Sequence, residues 1–374
     1  MRKIILSSLV LLMAACGQRE VPVLKVGFVG HDHQTALYVA AQEYERTRAD
    51  ANVYLKECEA KKHYELIKDN KKLADIDLYL SGGGSKMPTL MSQGHFEVGF
   101  GGVAAVAFFT DKGSPIKITA PLHTKGDMLV LKPDNPVNSW ESFVDWAKWT
   151  KNPIRIGFKN PVAVAKLIFE RALEEVDLSY TSDQSDRSKD ILMVHMKGEK
   201  NLIPGLQNDI IDGYVSNNPW CAIAEDKGVG KCIADLNSLP PGIWRDHPCC
   251  CIGATEQAMK EKKEIIKEFF KLIILATNYM NEDPSVTMRN ASQWIGTSYE
   301  VEEKSIPKSG YGTNPTDHWK KTMYVWVDEM NRLGKLTGKL KDKKHGEIDN
   351  LLFDFSLLNQ AAEELRKKGI ETWY

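Results

Sequence analysis

The sequence predicts a two-lobed α/β protein in which two parallel sheets face each other across a ligand cleft. Three observations carry that expectation. At 374 residues and 42.1 kDa the chain exceeds what one hydrophobic core usually serves. Short apolar runs alternate with helical patterns, which implies parallel strands with ligand loops at their carboxyl ends. The same two-part unit also occurs twice: KVGF at 25–28 matches RIGF at 155–158, and FEVGF at 96–100 matches IDGYV at 211–215. One lobe is expected at residues 24–122 plus 254–374. The other is expected at 123–253, with crossings at 122–126 and 249–253 that let the lobes close on a ligand.

The chain opens with Arg2 and Lys3, an apolar run from Ile4 to Ala15, and the small pair Ala14-Ala15 before Cys16. That is the layout of a secretory signal, and the run is too short to span a bilayer as a helix. A cysteine directly after the small pair resembles the bacterial lipoprotein signal, although Met13 stands where that pattern has leucine. The resemblance implies residues 1–16 as signal, lipid on Cys16, and an extracytoplasmic protein tethered to a membrane. A plainly cleaved signal is the alternative. Residues 17–23 read as a tether. A net charge of -1 and a pI near 6.8 give no reason to invoke nucleic acid or a broad charged surface.

Leu24–Val29 reads as a strand, Gly30–His33 as a polar loop and Thr35–Arg46 as a helix. The charged segment 51–72 reads as a short strand at Val53–Leu55 followed by a surface helix, before a firmer strand at Ile76–Leu80. The stretch Gly94–Gly126 is the organising one. There a strand at Phe96–Phe100 meets Gly101-Gly102, which permit close backbone approach, and a buried helix at Val103–Asp111 aims free N–H groups at the gap. Strands follow at Pro115–Ala120 and Met128–Leu131, and Ser139 caps a helix over Trp140–Trp149.

Strand Ile154–Phe158 leads through Lys159-Asn160-Pro161 into helix Val162–Glu175. Strands Ile191–Met196 and Ile210–Val215 come next, and Asn218 with Pro219 opens the helix Trp220–Asp226. Glu256–Asn281 is a strongly amphipathic helix. Trp319, Met323, Trp326 and Met330 form a core stripe, 335–344 a solvated loop, and Leu357, Ala361 and Leu365 a last helix. Cys249–Cys251 alternate faces of a strand and read as partly buried packing. No Cys/His spacing for zinc occurs, and neither a metal nor a cofactor is expected.

With MPTLMSQGHFEVGFGG at 87–102 and 120–126 following, the chain resembles the nitrate/sulfonate/bicarbonate group of ABC-transporter substrate-binding proteins. Val26–Ala41, Ile154–Leu167, Asp212–Ala224 and His247–Gly253 are similar to that group's further motifs in the same order. The resemblance covers roughly Leu24–Ala291. Ala51–Ala74, which looks inserted, and the Lys-rich extension after Gly334 depart from it. It implies a type II periplasmic-binding fold that captures a small solute and hands it to a membrane permease with its ATPase. By matching loops it implies ligand contacts from His31, His33, Gly101, Gly102, Val103, His123, Thr124, Lys125, Asn160, Asn218 and Trp220.

Helix N-termini with Lys125 and Lys159 suit an aliphatic sulfonate, nitrate or bicarbonate, with Trp220 or Trp244 over any apolar remainder. Plainer readings stand beside these: His33 as a helix cap, Lys125 as a solvated hinge residue, Trp220 as interlobe packing, and His247 as a brace for the crossing. No nucleophile and base accompany the loops, so a monomeric binding protein, not an enzyme, is expected. The alternatives are a receptor for a thiamine-pyrimidine precursor on the same fold, a pyrimidine-synthase-like enzyme and a lipid-anchored sensory protein. The cysteine run resembles the motif of those synthases, but Ile252-Gly253 departs from it.

Overall fold

The computed structural model describes residues 21–372, so the signal and the lipid site expected at Cys16 lie outside it. In the first part of the chain the strands are β1 (Val23–Phe28), β2 (Val53–Glu59), β3 (His63–Lys68), β4 (Lys71–Leu80), β5 (Val98–Gly102) and β6 (Ile116–Lys125). Then come β7 (Asp127–Leu131), β8 (Ile154–Phe158), β9 (Tyr180–Thr181), β10 (Ile191–His195), β11 (Gly213–Asn217) and β12 (Lys231–Asp235). The chain returns through β13 (Pro248–Thr255) and β14 (Ser309–Tyr311). Two sheets result, ordered β14-β6-β13-β5-β1-β4-β3-β2 and β12-β7-β11-β8-β10-β9. This is the two-lobed type II periplasmic-binding architecture that the sequence predicts.

The duplication is visible down to single bonds. β1 lies between β4 and β5, parallel to both, and β8 lies between β10 and β11 in the same way. Glu97 accepts from the Lys25 N–H at 3.2 Å, and Asp212 accepts from the Arg155 N–H at 2.9 Å. Each carboxylate is also gripped by a cation: Lys262 Nζ on Glu97 at 2.6 Å and Arg155 on Asp212 at 2.5 Å. The acidic residue in FEVGF and IDGYV thus satisfies a backbone amide near the start of the neighbouring strand.

Helix Val103–Asp111 and the Ser139-capped helix Trp140–Trp149 form where the sequence places them. Elsewhere packing decides against local pattern. Residues 51–72 carry no surface helix: Val53, Leu55, Tyr64 and Leu66 are fully buried at alternating positions, so the segment pairs as the hairpin β2–β3. The long helix breaks at Lys262 into Glu256–Glu261 and Lys263–Glu282, and at the break the Lys262 ammonium reaches Glu97 and the Val23 carbonyl, the latter at 2.5 Å. Asn218 does not cap its helix. Pro219 holds that position, and Asn218 Nδ2 donates to the Ser305 carbonyl at 3.4 Å. Among the described residues no helix is long and apolar enough to cross a membrane.

The Lys-rich 335–344 run is not a free loop. Leu336 and Leu340 are buried, and the buried Asp111 carboxylate accepts from the N–H groups of Thr337, Gly338 and Leu340 at 3.0, 2.9 and 2.9 Å. A side chain at Gly338 would stand 2.1 Å from the Asp111 carbonyl oxygen, so only glycine fits. Asp111→Ala leaves those amides without a partner and is expected to cost about 2–4 kcal/mol. The check is a urea transition, whose midpoint should fall at unchanged slope.

Candidate functional site

The loops at the carboxyl ends of β1, β4, β5 and β8 meet the hinge strands around one cleft. His31, His33, Gly84, Ser85, Gly102, Asp127, Lys159, Val162, Ala163, Val164, Cys249 and Cys250 line it. Gly82–Lys86, Asn160 and Glu199 form its outer rim. The cleft stands closed, with about 20 Å³ of free volume, room for one water.

Local bonding sets the β1 loop. The Gln34 side-chain oxygen accepts from the Val29 N–H at 2.6 Å while its amide donates to the Phe100 carbonyl at 2.8 Å, tying the loop to β5. Tyr38 Oη donates to the Val29 carbonyl at 2.6 Å and accepts from the His31 N–H at 3.1 Å. At the end of β5, a side chain on Gly101 would lie 2.8 Å from the Gly84 carbonyl oxygen, so glycine is what lets the two loops touch. Helices Val103–Asp111 and Val164–Glu175 both start at the cleft with no side-chain cap, leaving first-turn amides free to face a guest.

Charge in the cleft is already paired. Lys159 Nζ lies 2.5 Å from Glu199 Oε1 and also donates to Asn217. Trp220 Nε1 donates to Glu199 Oε2 at 2.9 Å. Burial works against the Lys159 charge, but Glu199 outweighs it and the pKa ends above the usual lysine value. Glu199 likewise ends below the usual carboxylate value, because Lys159 overcomes its burial. Asp127 Oδ2 faces His247 Nε2 at 3.2 Å, and His247 Nδ1 lies 2.8 Å from the Trp244 carbonyl.

The histidines beside these pairs are neutral: burial pushes His31 down to about 4 and carries His33 and His123 well below the usual imidazole value. Burial raises the Cys249 thiol. His33 and His123 stack at 3.6 Å between ring centroids.

Of the ligand contacts expected from sequence, His31, His33 and Gly102 line the cleft and Asn160 lies on its rim. Gly101 and Val103 support it from within the core. His123 stands behind His33, and Thr124 faces Pro248 across the hinge ladder. Lys125 extends to Asp246 at 2.8 Å, and Trp220 reaches Glu199. His33 caps no helix, since its Nδ1 lies 3.3 Å from Cys249 Sγ. Trp244 packs on Trp326 at 4.4 Å inside the core, away from the cleft lining, and His247 braces the crossing.

Sequence reasoning missed Ser85, Asp127, Glu199 and the thiols. Ser85 and Glu199 follow β4 and β10, neighbours of β1 and β8, so pairing order would have found them. The thiols depend on register: bulges between Pro248 and Cys250 and between Cys250 and Cys251 break the strict alternation of β13. Cys249 and Cys250 therefore both approach His33 Nδ1, at 3.3 and 3.6 Å.

Two sheets joined through hinge strands, with loops from both closing on one cleft, define the periplasmic-binding-protein fold. The signature of the NMT1-like family matches residues 17–296, and the chain belongs to that family. It is 36% identical over 133 residues to the uncharacterized protein MJ1180 of Methanocaldococcus jannaschii, covering 91% of that protein and 34% of this chain. Its fold is similar to the ligand-binding component of an ABC-type import system from Staphylococcus aureus with zinc bound (TM-score 0.68, 14% identity, 91% of this chain and 99% of that one). It is similar also to the periplasmic nitrate-binding protein NrtA of Synechocystis PCC 6803 (0.66, 15%, 92% and 89%). The alkanesulfonate-binding protein SsuA of Xanthomonas axonopodis pv. citri, bound to MOPS, shares the fold as well (0.62, 12%, 88% and 98%).

Lys159→Met alone strands the Glu199 charge in the protein and is expected to destabilise by about 3–5 kcal/mol. Adding Glu199→Gln should recover most of that loss. Chemical denaturation of the single and double variants checks both.

Proposed function

We infer that the protein is the extracytoplasmic solute-binding component of an ABC importer, tethered through lipid on Cys16, and that it captures a small anion such as nitrate, bicarbonate or an aliphatic sulfonate. The observation that carries this reading is the pair of uncapped helix starts, Gly102–Val103 and Ala163–Val164, which reach one cleft from the two sheets. Free amides at a helix start attract negative charge without a formal cation, through unpaired donors and roughly half a unit of dipole charge. That matters here because Lys159 is already neutralised by Glu199. The amides, more than the lysines, are the anion-selecting groups.

Among the described residues that line the cleft there is no tryptophan, tyrosine or phenylalanine. A flat pyrimidine would find only the small imidazole faces of His31 and His33 to stack on there, which favours the anion over a thiamine-pyrimidine precursor. The closed cleft admits a guest only when the lobes part, with β6 and β13 taking up the bend. The reading includes a permease and its ATPase as partners, and binding without catalysis.

A thermal-shift panel with nitrate, bicarbonate, taurine, longer alkanesulfonates and a hydroxymethylpyrimidine tests it. A ligand at a hundred times its dissociation constant should stabilise by about 2.7 kcal/mol. Stabilisation by an anion is the expected result. A response to the pyrimidine alone overturns the anion reading, and no response to any solute favours a sensory role.

A further inference from the structure

We propose that His33, His123 and Cys249 hold a late first-row transition-metal ion, zinc foremost, at the floor of the cleft. The three residues come from the β1 loop and the two hinge strands, and one ligand atom from each lies within 4.8 Å of the others. All three are buried, with relative exposures of 0%, 1% and 4%. The inference goes beyond solute capture and does not require it.

Unspent bonding capacity points to a ligand. Neither ring nitrogen of His123 has a hydrogen-bond partner, nor has His33 Nε2 or His31 Nδ1. A buried polar atom left without a partner costs about 1–3 kcal/mol. Four of them in one cluster, from three adjacent imidazoles, is more than packing explains. A metal ion would take up one lone pair from each ligating imidazole, His123 and His33, and fix which of their nitrogens keeps its hydrogen.

The donor set selects the ion. Imidazole and thiolate suit zinc and its late first-row neighbours, whereas calcium and magnesium demand oxygen ligands that this cluster does not offer. The 3.3 Å between Cys249 Sγ and His33 Nδ1 is close to the roughly 3.6 Å that tetrahedral zinc imposes between a sulfur and a nitrogen ligand. His33 and His123 stack at present, so binding requires their rings to rotate and converge. Cys250, with its sulfur 3.6 Å from His33 Nδ1, is placed to supply a fourth ligand, and otherwise that position opens to the cleft. The sulfurs of Cys249 and Cys250 lie 4.0 Å apart, as free thiols do, so no disulfide competes for them.

The test uses the purified protein, treated with EDTA and kept reduced with a phosphine, titrated with zinc by calorimetry and with cobalt by absorption. The expected result is one equivalent of metal and a thiolate-to-cobalt charge-transfer band. Cys249→Ser should weaken the band, and Cys249→Ser/Cys250→Ser should abolish it. His123→Gln should weaken zinc binding at least tenfold, while Cys251→Ala leaves both intact. Zinc should raise the melting temperature of the parent protein and not that of the triple variant His33→Gln/His123→Gln/Cys249→Ser. Should Cys249→Ser fail to fold, the band in the parent protein decides alone. Absence of that band, its survival at full intensity in a folded Cys249→Ser variant or at any intensity in Cys249→Ser/Cys250→Ser, or equal zinc binding by the triple variant overturns the proposal. The anion panel on EDTA-treated protein reads the transport reading separately.

Discussion

Everything at the cleft depends on the antiparallel ladder between β6 and β13. These strands leave the first sheet side by side, and their register puts His123 opposite Cys250 and Cys250 opposite Gly102. Moving the register by one residue would turn each of these groups to the other face of the sheet. The ladder is fixed from inside by Ile118, Ala120, Ile252 and Ala254, all fully buried, and by Thr119 donating to the Ile252 carbonyl at 3.0 Å. Apolar burial thus sets the positions of polar groups that contribute little to stability themselves. The bulges in β13 then depart from the regular pattern just where two neighbouring thiols must face one imidazole.

Electrostatics in the cleft follow from burial. A charge survives there only with a partner, as in Lys159 with Glu199. Groups without one stay neutral, which leaves imidazole nitrogens and backbone amides as the unsatisfied chemistry. What such a cleft presents is donor geometry more than net charge.

Much of the fold was legible because its signals are local. The repeated KVGF/RIGF and FEVGF/IDGYV units gave the paired β1–β5 and β8–β11 cores, and Ser139 and Gly102 marked helix starts that the structure keeps. Residues 51–72 were misread because charged side chains on one face of β2 and β3 hide the alternation of Val53, Leu55, Tyr64 and Leu66. The pinning of 335–344 was invisible because its anchor, Asp111, lies more than two hundred residues earlier in the chain. At the site, loops named by motif order converged, whereas His33, His123 and Cys249 come together only through strand pairing. No spacing rule along the chain reports that neighbourhood.

The third strand at the crossing has a consequence for motion. β14 pairs with β6 from Lys125 to His123, and Tyr311 Oη donates to the Asp32 carbonyl at 3.2 Å on the opposite loop. Trp326 Nε1 donates to the Pro248 carbonyl at 2.9 Å, so the C-terminal region grips the other crossing strand as well. A two-stranded connection bends freely, but one splinted on both edges resists twist and concentrates flexing into fewer bonds. The crossing is built more like a latch than a swinging gate.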